Sequence, residues 1–313
     1  MMLCSNTFDR LSRVLVAVLS GALMLSTQGC EPASARADSK TDATTEPLRV
    51  VSLDGTAIEW LIAMDTPPAM RIPMPLGAPE SWSGIPEVSF THSGGVDREQ
   101  VLVAGPDLIV VSPITERFAA GLDEFTGASL LSVKVRSVDD AANAAMELGT
   151  AIGQDEAGRE LAQQIRHQAE APPLAPADDP MQVLALFGSP NGFFVMRPDT
   201  YLGDLLARMN VKLVGAEGPE HSIYKGFVPL DLESAVQTDP DAILVIAHGP
   251  ASSNRPTLGD HPAWSELRAV QDGRVAGVGD FLLTFAPGAR VGEAVEMLRS
   301  ALSFNDDGLA AAP

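Results

Sequence analysis

Runs of Ile, Leu and Val without alternation punctuate this chain, most plainly Leu108-Ile109-Val110-Val111 and Ala242-Ile243-Leu244-Val245. An unbroken apolar strand is one covered on both faces, as in the interior of a parallel sheet. Both runs follow the same arrangement. Asp97-Arg98-Glu99 leads through a short apolar stretch to Pro106-Asp107, and Asp231-Leu232-Glu233 leads through a mixed stretch to Pro240-Asp241. In each copy Glu stands two residues after Asp, and Pro stands seven residues after Glu. Asp caps a helix N-terminus, a first-turn Glu complements the macrodipole, and Pro stops the helix. Each copy is therefore a helix–turn–strand unit, and two copies predict two similar lobes with a crevice between them.

The rest of the pattern extends this plan to an α/β fold: two lobes, each with a central, mostly parallel sheet flanked by helices, joined by a long rigid interdomain helix. The first lobe, 48–137, should hold strands over 48–53, 70–72, 88–90, 108–111 and 130–135, with helices over 56–64 and 115–125. The loop Thr91-His92-Ser93-Gly94-Gly95 precedes its repeat copy. The linker, 138–180, is Ala-rich with apolar residues at helical spacing (Ala145, Leu148 and Ile152, then Leu161 and Ile165). It reads as two helices broken near Gly153, the second, over 156–170, forming the spine. Pro172, Pro173, Pro176 and Pro180 close it. The second lobe, 181–305, should hold a strand over 183–187, a turn, a return strand over 193–196 and a helix over 202–209 capped by Thr200. After these come strands over 212–214, 242–247 and 274–278, a short helix at Trp264 and a closing amphipathic helix over 289–302. In this reading the loop 217–227 matches 91–95 of the first lobe, and 306–313 is a disordered tail.

Residues 1–29 read as a signal peptide, because Arg10 and Arg13 precede an apolar stretch over 14–25 that is too short to span a bilayer. Thr27-Gln28-Gly29-Cys30 resembles a bacterial lipobox, which makes Cys30 the lipidated mature N-terminus. Cleavage after Ala35 or Ala37 is the alternative. Residues 30–47, rich in Ala, Ser, Thr, Asp and Pro, form a flexible tether. The protein is thus expected outside the cytoplasm, held to a membrane only through its lipid.

The net charge of −20 lacks the basic footprint that nucleic acid requires. Cys4 and Cys30 both lie in the export segment, so they provide neither a disulfide framework nor a nucleophile. The five His residues lack zinc-finger spacing. No G-x-S-x-G, H-E-x-x-H or P-loop motif is present, and no carboxylate pair is singled out for catalysis.

Ligands of open α/β sheets gather beyond the carboxyl ends of the strands. That rule selects loops 53–56, 71–76, 91–95, 112–117, 188–200, 217–227, 248–255 and 280–287. His248 directly follows the apolar run of the second copy, and His92 lies in the Gly-rich loop of the first lobe. Two imidazoles facing across a crevice can hold one iron centre from both sides. Tyr224, near His221, offers a phenolate, and Arg71, Arg117, Arg197 and Arg255 offer charge-assisted pairs to ligand carboxylates. Each of these residues also has a plain structural reading, as a core hydrogen-bonding group or a solvated surface cation. Glu99 and Glu233 act as first-turn acids, and their matched places suggest two-point contact with a symmetric partner bearing Arg.

These residues resemble the substrate-binding proteins of ABC importers for iron complexes and vitamin B12, the helical-backbone (class III) periplasmic binding proteins. The likeness opens with Val50-Val51-Ser52-Leu53-Asp54-Gly55-Thr56-Ala57-Ile58-Glu59 and includes both repeat copies. It also includes Thr200-Tyr201-Leu202-Gly203-Asp204-Leu205-Leu206 and Trp264 followed by Asp272-Gly273-Arg274-Val275, and it spans about 48–304. The resemblance implies a monomeric receptor, not an enzyme, with no cofactor of its own. It implies little hinge closure, and Glu99 and Glu233 docking on Arg pockets of a permease dimer. Ala247-His248-Gly249 and Tyr201-Leu202-Gly203-Asp204 look most like the ferric-siderophore and haem branch. In haem binders of that branch one axial ligand comes from a first-lobe loop, and the other is a His at the second-lobe strand end. His248 matches the latter. Where those relatives have a Met in the first lobe, this chain places His92. Cobalamin or a bare metal ion is the alternative ligand, and an extracytoplasmic enzyme on the same fold is the rival class.

Overall fold

The fold was taken from a computed structural model, which describes residues 48–74, 78–90, 95–189, 192–222, 225–247, 258, 262–279 and 288–304. The proposed signal peptide, the tether and the 306–313 tail lie outside them. Two sheets organise the rest. In the first, β1 (Val50–Ser52) lies between β2 (Met70–Arg71) and β3 (Leu108–Val111), and β4 (Ser129–Ser132) forms the far edge, all parallel. Every residue of β1 and β3 is buried, whereas the more polar β4 is partly exposed.

The second sheet is centred on β5 (Met181–Ser189). On one side lie β9 (Ala242–Ala247) and β10 (Val275–Gly279), both parallel to their neighbours. On the other side, β5's first residues pair in parallel with β7 (Val211–Leu213), and its last residues turn back into antiparallel β6 (Gly192–Met196). β8 (Phe227–Pro229) then adds to β6.

Five of the helices start at a side chain that caps them. Asp54 caps α1 (Gly55–Ala63), Asp97 caps α2 (Arg98–Ala104), Ser137 caps α4 (Val138–Ala151), Thr200 caps α6 (Tyr201–Arg208) and Asp231 caps α7 (Leu232–Thr238). In each case the side-chain oxygen accepts a first-turn N–H. α2 and α7 also end alike, on a left-handed residue before the Pro, Gly105 in one copy and Asp239 in the other. The repeated Asp after each Pro has a shared role. Asp107 Oδ2 accepts the N–H of Arg49 at 2.9 Å, and Asp241 Oδ2 accepts the N–H of Gln182 at 2.8 Å. Each carboxylate thereby ties the start of its own strand to the neighbouring strand.

The linker is a helical hairpin, α4 followed by α5 (Asp155–Gln168), as the periodicity predicts. α8 (Arg268–Gln271) precedes β10, and α9 (Val291–Leu302) is the last helix among the described residues. One hydrophobic core runs through both lobes: Trp60, Leu61 and Val110 of the first join Ala145, Leu148, Leu161 and Ile165 of the hairpin and Val183, Leu244 and Leu298 of the second. Each lobe has a smaller outer core as well.

Four expectations are corrected. The single helix over 115–125 is divided into a 3-10 turn, Glu116–Phe118, and α3 (Leu122–Thr126), because Gly121 takes a left-handed conformation between them. Residues 88–90 make only isolated bridges, and the strand expected over 130–135 ends at Ser132. β8 falls inside the stretch read as a loop. It is brief and holds a Pro, so period-2 patterning has too few residues to register.

α4 and α5 meet at Gly149 and Gly158, where a Cβ added to Gly149 would lie 2.8 Å from the Gly158 Cα. Replacing Gly149 by Leu is therefore expected to cost about 1–3 kcal/mol through overpacking, read as a lower urea midpoint with an unchanged slope.

Candidate ligand-binding cleft

The carboxyl ends of β1, β3, β5 and β9 define the candidate site, and the described residues show how its walls are built. Asp54 leaves β1 directly into α1. Its Oδ1 accepts the Ala57 N–H at 2.7 Å. Burial pushes its carboxyl up to about 6 from an ordinary 3.8, against the downward pull of the Ala57 and Thr56 N–H groups.

After β3, Ser112 and Thr115 form a tight turn, with the Ser112 N–H donating to Thr115 Oγ1 at 2.9 Å. The 3-10 turn that follows presents Arg117. Its guanidinium lies 4.6 Å from the centre of the Phe118 ring, and Phe118 meets Phe90 edge-on at 5.6 Å. Phe90 in turn bridges to Val96, which closes the stem of the loop carrying His92. Arg117 is exposed and has no ion pair among the described residues, which suits a cation waiting for an anionic ligand.

The other described Arg candidates are engaged. Arg71 is buried, 2.8 Å from Glu87 and with its guanidinium 5.4 Å from the Trp82 ring, so its charge is spent inside the lobe. Arg197 pairs with Asp199 at 2.9 Å. Because β6 runs antiparallel, Arg197 lies five residues along the chain from Gly192 at the hairpin end, roughly 15 Å of strand. The loop selection over 188–200 thus holds only near the hairpin turn.

The match of 217–227 to 91–95 also needs correction. β8 intervenes before α7, so the loop joins the sheet opposite Met196 rather than at the cap of the helix. His221 donates its N–H to the Phe227 carbonyl at 2.7 Å, and its ring packs edge-on against Phe194 at 5.2 Å. His92, Tyr224, His248 and Arg255 lie outside the described residues. β9 is described up to Ala247, which pairs with Gly188 on one side and Gly279 on the other. Among the described residues no group of three or more His, Cys, Asp or Glu converges as a metal site.

Glu99 and Glu233 occupy corresponding first-turn positions of α2 and α7. Both are exposed, and neither carboxylate has a partner among the described residues. A cavity of about 490 Å³, lined by Ile62, Pro68, Ser83 and Pro86 among others, opens elsewhere. It adjoins the end of α1 that points away from the strand carboxyl ends.

One buried group escaped the sequence reading. Glu59 lies in a helix of otherwise mostly buried, uncharged residues and accepts a 2.6 Å hydrogen bond from Trp82 Nε1. An acid inside an apolar helix needs a partner, and that alone could have marked it.

Two α/β lobes that share one core through a helical hairpin define a bilobed architecture. The chain belongs to the periplasmic binding protein family, whose model matches residues 50–280. Solved structures share the fold. The haem complex of IsdE from S. aureus has a TM-score of 0.66 at 15% identity, covering 82% of this chain and 98% of that one. The vitamin B12 binding protein BtuF of Vibrio cholerae has a TM-score of 0.62 at 19% identity, covering 81% and 96%. The siderophore periplasmic binding protein from the fuscachelin gene cluster of Thermobifida fusca has a TM-score of 0.60 at 19% identity, covering 82% and 97%. No curated protein matches the chain in sequence. The family is one of exported transport receptors that work with ABC permeases and are not enzymes.

The raised Asp54 pKa has a pH signature. The fold favours the neutral carboxyl, so this stabilisation is complete below 3.8 and is lost as pH rises through about 6. Asn at 54 keeps the cap but does not titrate. Calorimetry across that window should show the wild-type melting temperature falling relative to Asp54→Asn as pH rises.

Proposed function

We propose that this protein is a lipid-anchored receptor that captures an iron complex, a ferric siderophore or haem, between its two lobes and delivers it to an ABC permease. The lobes are assigned to 48–137 and 181–305, with 138–180 joining them and Cys30 bearing the lipid. The observation that carries the reading is the end of β9. Its last described residue, Ala247, pairs with Gly188 and Gly279; the Gly188 side is filled by the Gly192 backbone, whereas no described atom lies within 4 Å of where a Gly279 Cβ would stand, so that flank of the strand end from which His248 follows carries little side-chain bulk. A broad, flat ligand needs such an opening. On this reading His248 and, in haem binding, His92 supply the iron ligands, with Tyr224 as a phenolate alternative. Arg117 is the first choice for a ligand carboxylate, because its aromatic seat holds it in place while no ion pair among the described residues engages it. Arg255 is a further candidate, whereas Arg71 and Arg197 act mainly within their lobes.

Delivery is assigned to Glu99 and Glu233. First-turn acids on matching helices, one per lobe and unpaired among the described residues, suit a permease dimer that offers one cation per subunit.

Titrating the purified protein with haemin, cyanocobalamin and a panel of ferric siderophores tests the ligand. A shifted Soret band lost in His248→Ala is expected for haem, and tryptophan quenching by a ferric siderophore for the other case. Tight binding of cyanocobalamin alone would overturn the iron assignment. Arg117→Ala should weaken an anionic ligand by about tenfold, the scale of one lost charge-assisted pair. The double variant Glu99→Ala/Glu233→Ala should abolish uptake in cells while leaving ligand affinity within about twofold.

A further inference from the structure

The buried acid of the first lobe lies beside a cation of the second, in an ion-pair contact without a hydrogen bond at the Arg290 Nε. Glu59 sits in the middle of α1 with its side chain 6% exposed. Its Oε1 is taken by the Trp82 indole of the same lobe, while its Oε2 lies 3.4 Å from Nε of Arg290. Arg290 is the cap position of α9, and α9 packs on β9, β10 and α5, the second-lobe side of the molecule. Close by, the chain passes so near Trp60 that a Cβ on Gly288 would fall 1.5 Å from the Trp60 Nε1. The two lobes are therefore in contact through α1 and residues 288–290, separately from the α4–α5 hairpin.

We propose that the Glu59–Arg290 pair is an electrostatic latch that fixes the angle between the lobes. A carboxylate buried in a packed core is strongly disfavoured without its countercharge. Trp82 supplies one neutral hydrogen bond, so the compensating charge at Glu59 comes from Arg290, across the lobe boundary. Any rotation that withdraws Arg290 leaves the carboxylate, among the described residues, with the indole and no countercharge, and the lobe angle is held at a minimum. Gly288 is the steric half of the same device, because only a residue without a side chain lets the chain at 288–290 approach Trp60. The latch deepens the receptor reading in one respect, since it would hold Glu99 and Glu233 at constant separation. Its test involves neither ligand nor permease.

Spin labels on ketone-bearing residues introduced at the exposed positions 103 and 237, one per lobe, would report the inter-lobe distance by pulsed electron paramagnetic resonance. The otherwise native full chain should give one narrow distribution. Glu59→Gln keeps the acceptor for Trp82 but removes the charge, and Arg290→Gln removes the cation from a partly exposed position. Both should give distributions roughly twofold wider or displaced to a new mean. Gly288→Ala should displace the mean. Glu293→Gln is the control: Glu293 lies 3.6 Å from the same Arg but outside the buried pair, and its distribution should match wild type. Unchanged distributions in folded Arg290→Gln and Glu59→Gln would overturn the latch, as would equal broadening in Glu293→Gln. Loss of uptake on replacing Glu99 and Glu233 is a separate result, so the receptor reading and the latch can fail independently.

Discussion

The architecture depends on the close packing of α4 against α5. With glycines facing each other at 149 and 158, the two backbones approach without an intervening side chain. The hairpin becomes thin enough for both lobes to bury apolar residues against it at once. Trp60 and Leu61 reach it from one side, and Leu244 and Leu298 belong to the same core from the other. Packed interiors resist graded deformation. Bending the lobes about a flexible loop would separate few contacts, whereas here it would open a core. The turn between the helices is correspondingly short, with Gly153 in the left-handed conformation.

Polar groups at the lobe boundary reinforce that rigidity. The N–H of Val138, at the start of α4, donates to Asp204 of α6 at 2.9 Å, and Arg136 pairs with Asp199 at 2.6 Å. The second of these pairs is exposed and contributes little by itself. A buried pair behaves differently, because its cost when broken far exceeds its worth when made. Glu59 is of that kind, and this asymmetry makes it a better determinant of lobe geometry than any surface bridge.

Much of the fold was legible because its signals are local. Asp97 and Asp231 cap helices, Pro106 and Pro240 end them, and residues 108–111 and 242–246 bury both faces, all consequences of short-range chemistry readable in order along the chain. The repeated Asp after each Pro was visible as a pattern but not as a reason, since its partner N–H lies nearly sixty residues away. β8 was illegible for a related cause. An edge strand of a few residues is specified by the hairpin it joins, not by its own alternation. That strand moved the 217–227 loop out of the place that symmetry had assigned it. Arg197 misled for the same reason, because an antiparallel return carries a residue away from the edge at which the turn sits. The engaged state of Arg71 could not be read from sequence either: the residue types at 71, 82 and 87 do not announce that they meet.

The contrast between the two repeat copies bears on how such a receptor would work. The helix–turn–strand units are conserved in geometry down to the hydrogen bond at Asp107 and Asp241, yet what precedes each helix differs: a short bridged stem in the first lobe, an added strand in the second. A scaffold held this firmly cannot report occupancy by swinging its lobes through a large angle, since a ligand shifts an equilibrium only by its differential affinity for two accessible states. On the proposed reading, ligand selection therefore rests with the dissimilar loops, and recognition by the permease rests with the similar helices. Matched acids at fixed separation can serve a symmetric partner only if the frame between them does not yield, and unlike walls can grip an asymmetric ligand only if they are free to differ. The same chain meets both demands because its symmetry resides in the backbone units and its asymmetry in what joins them.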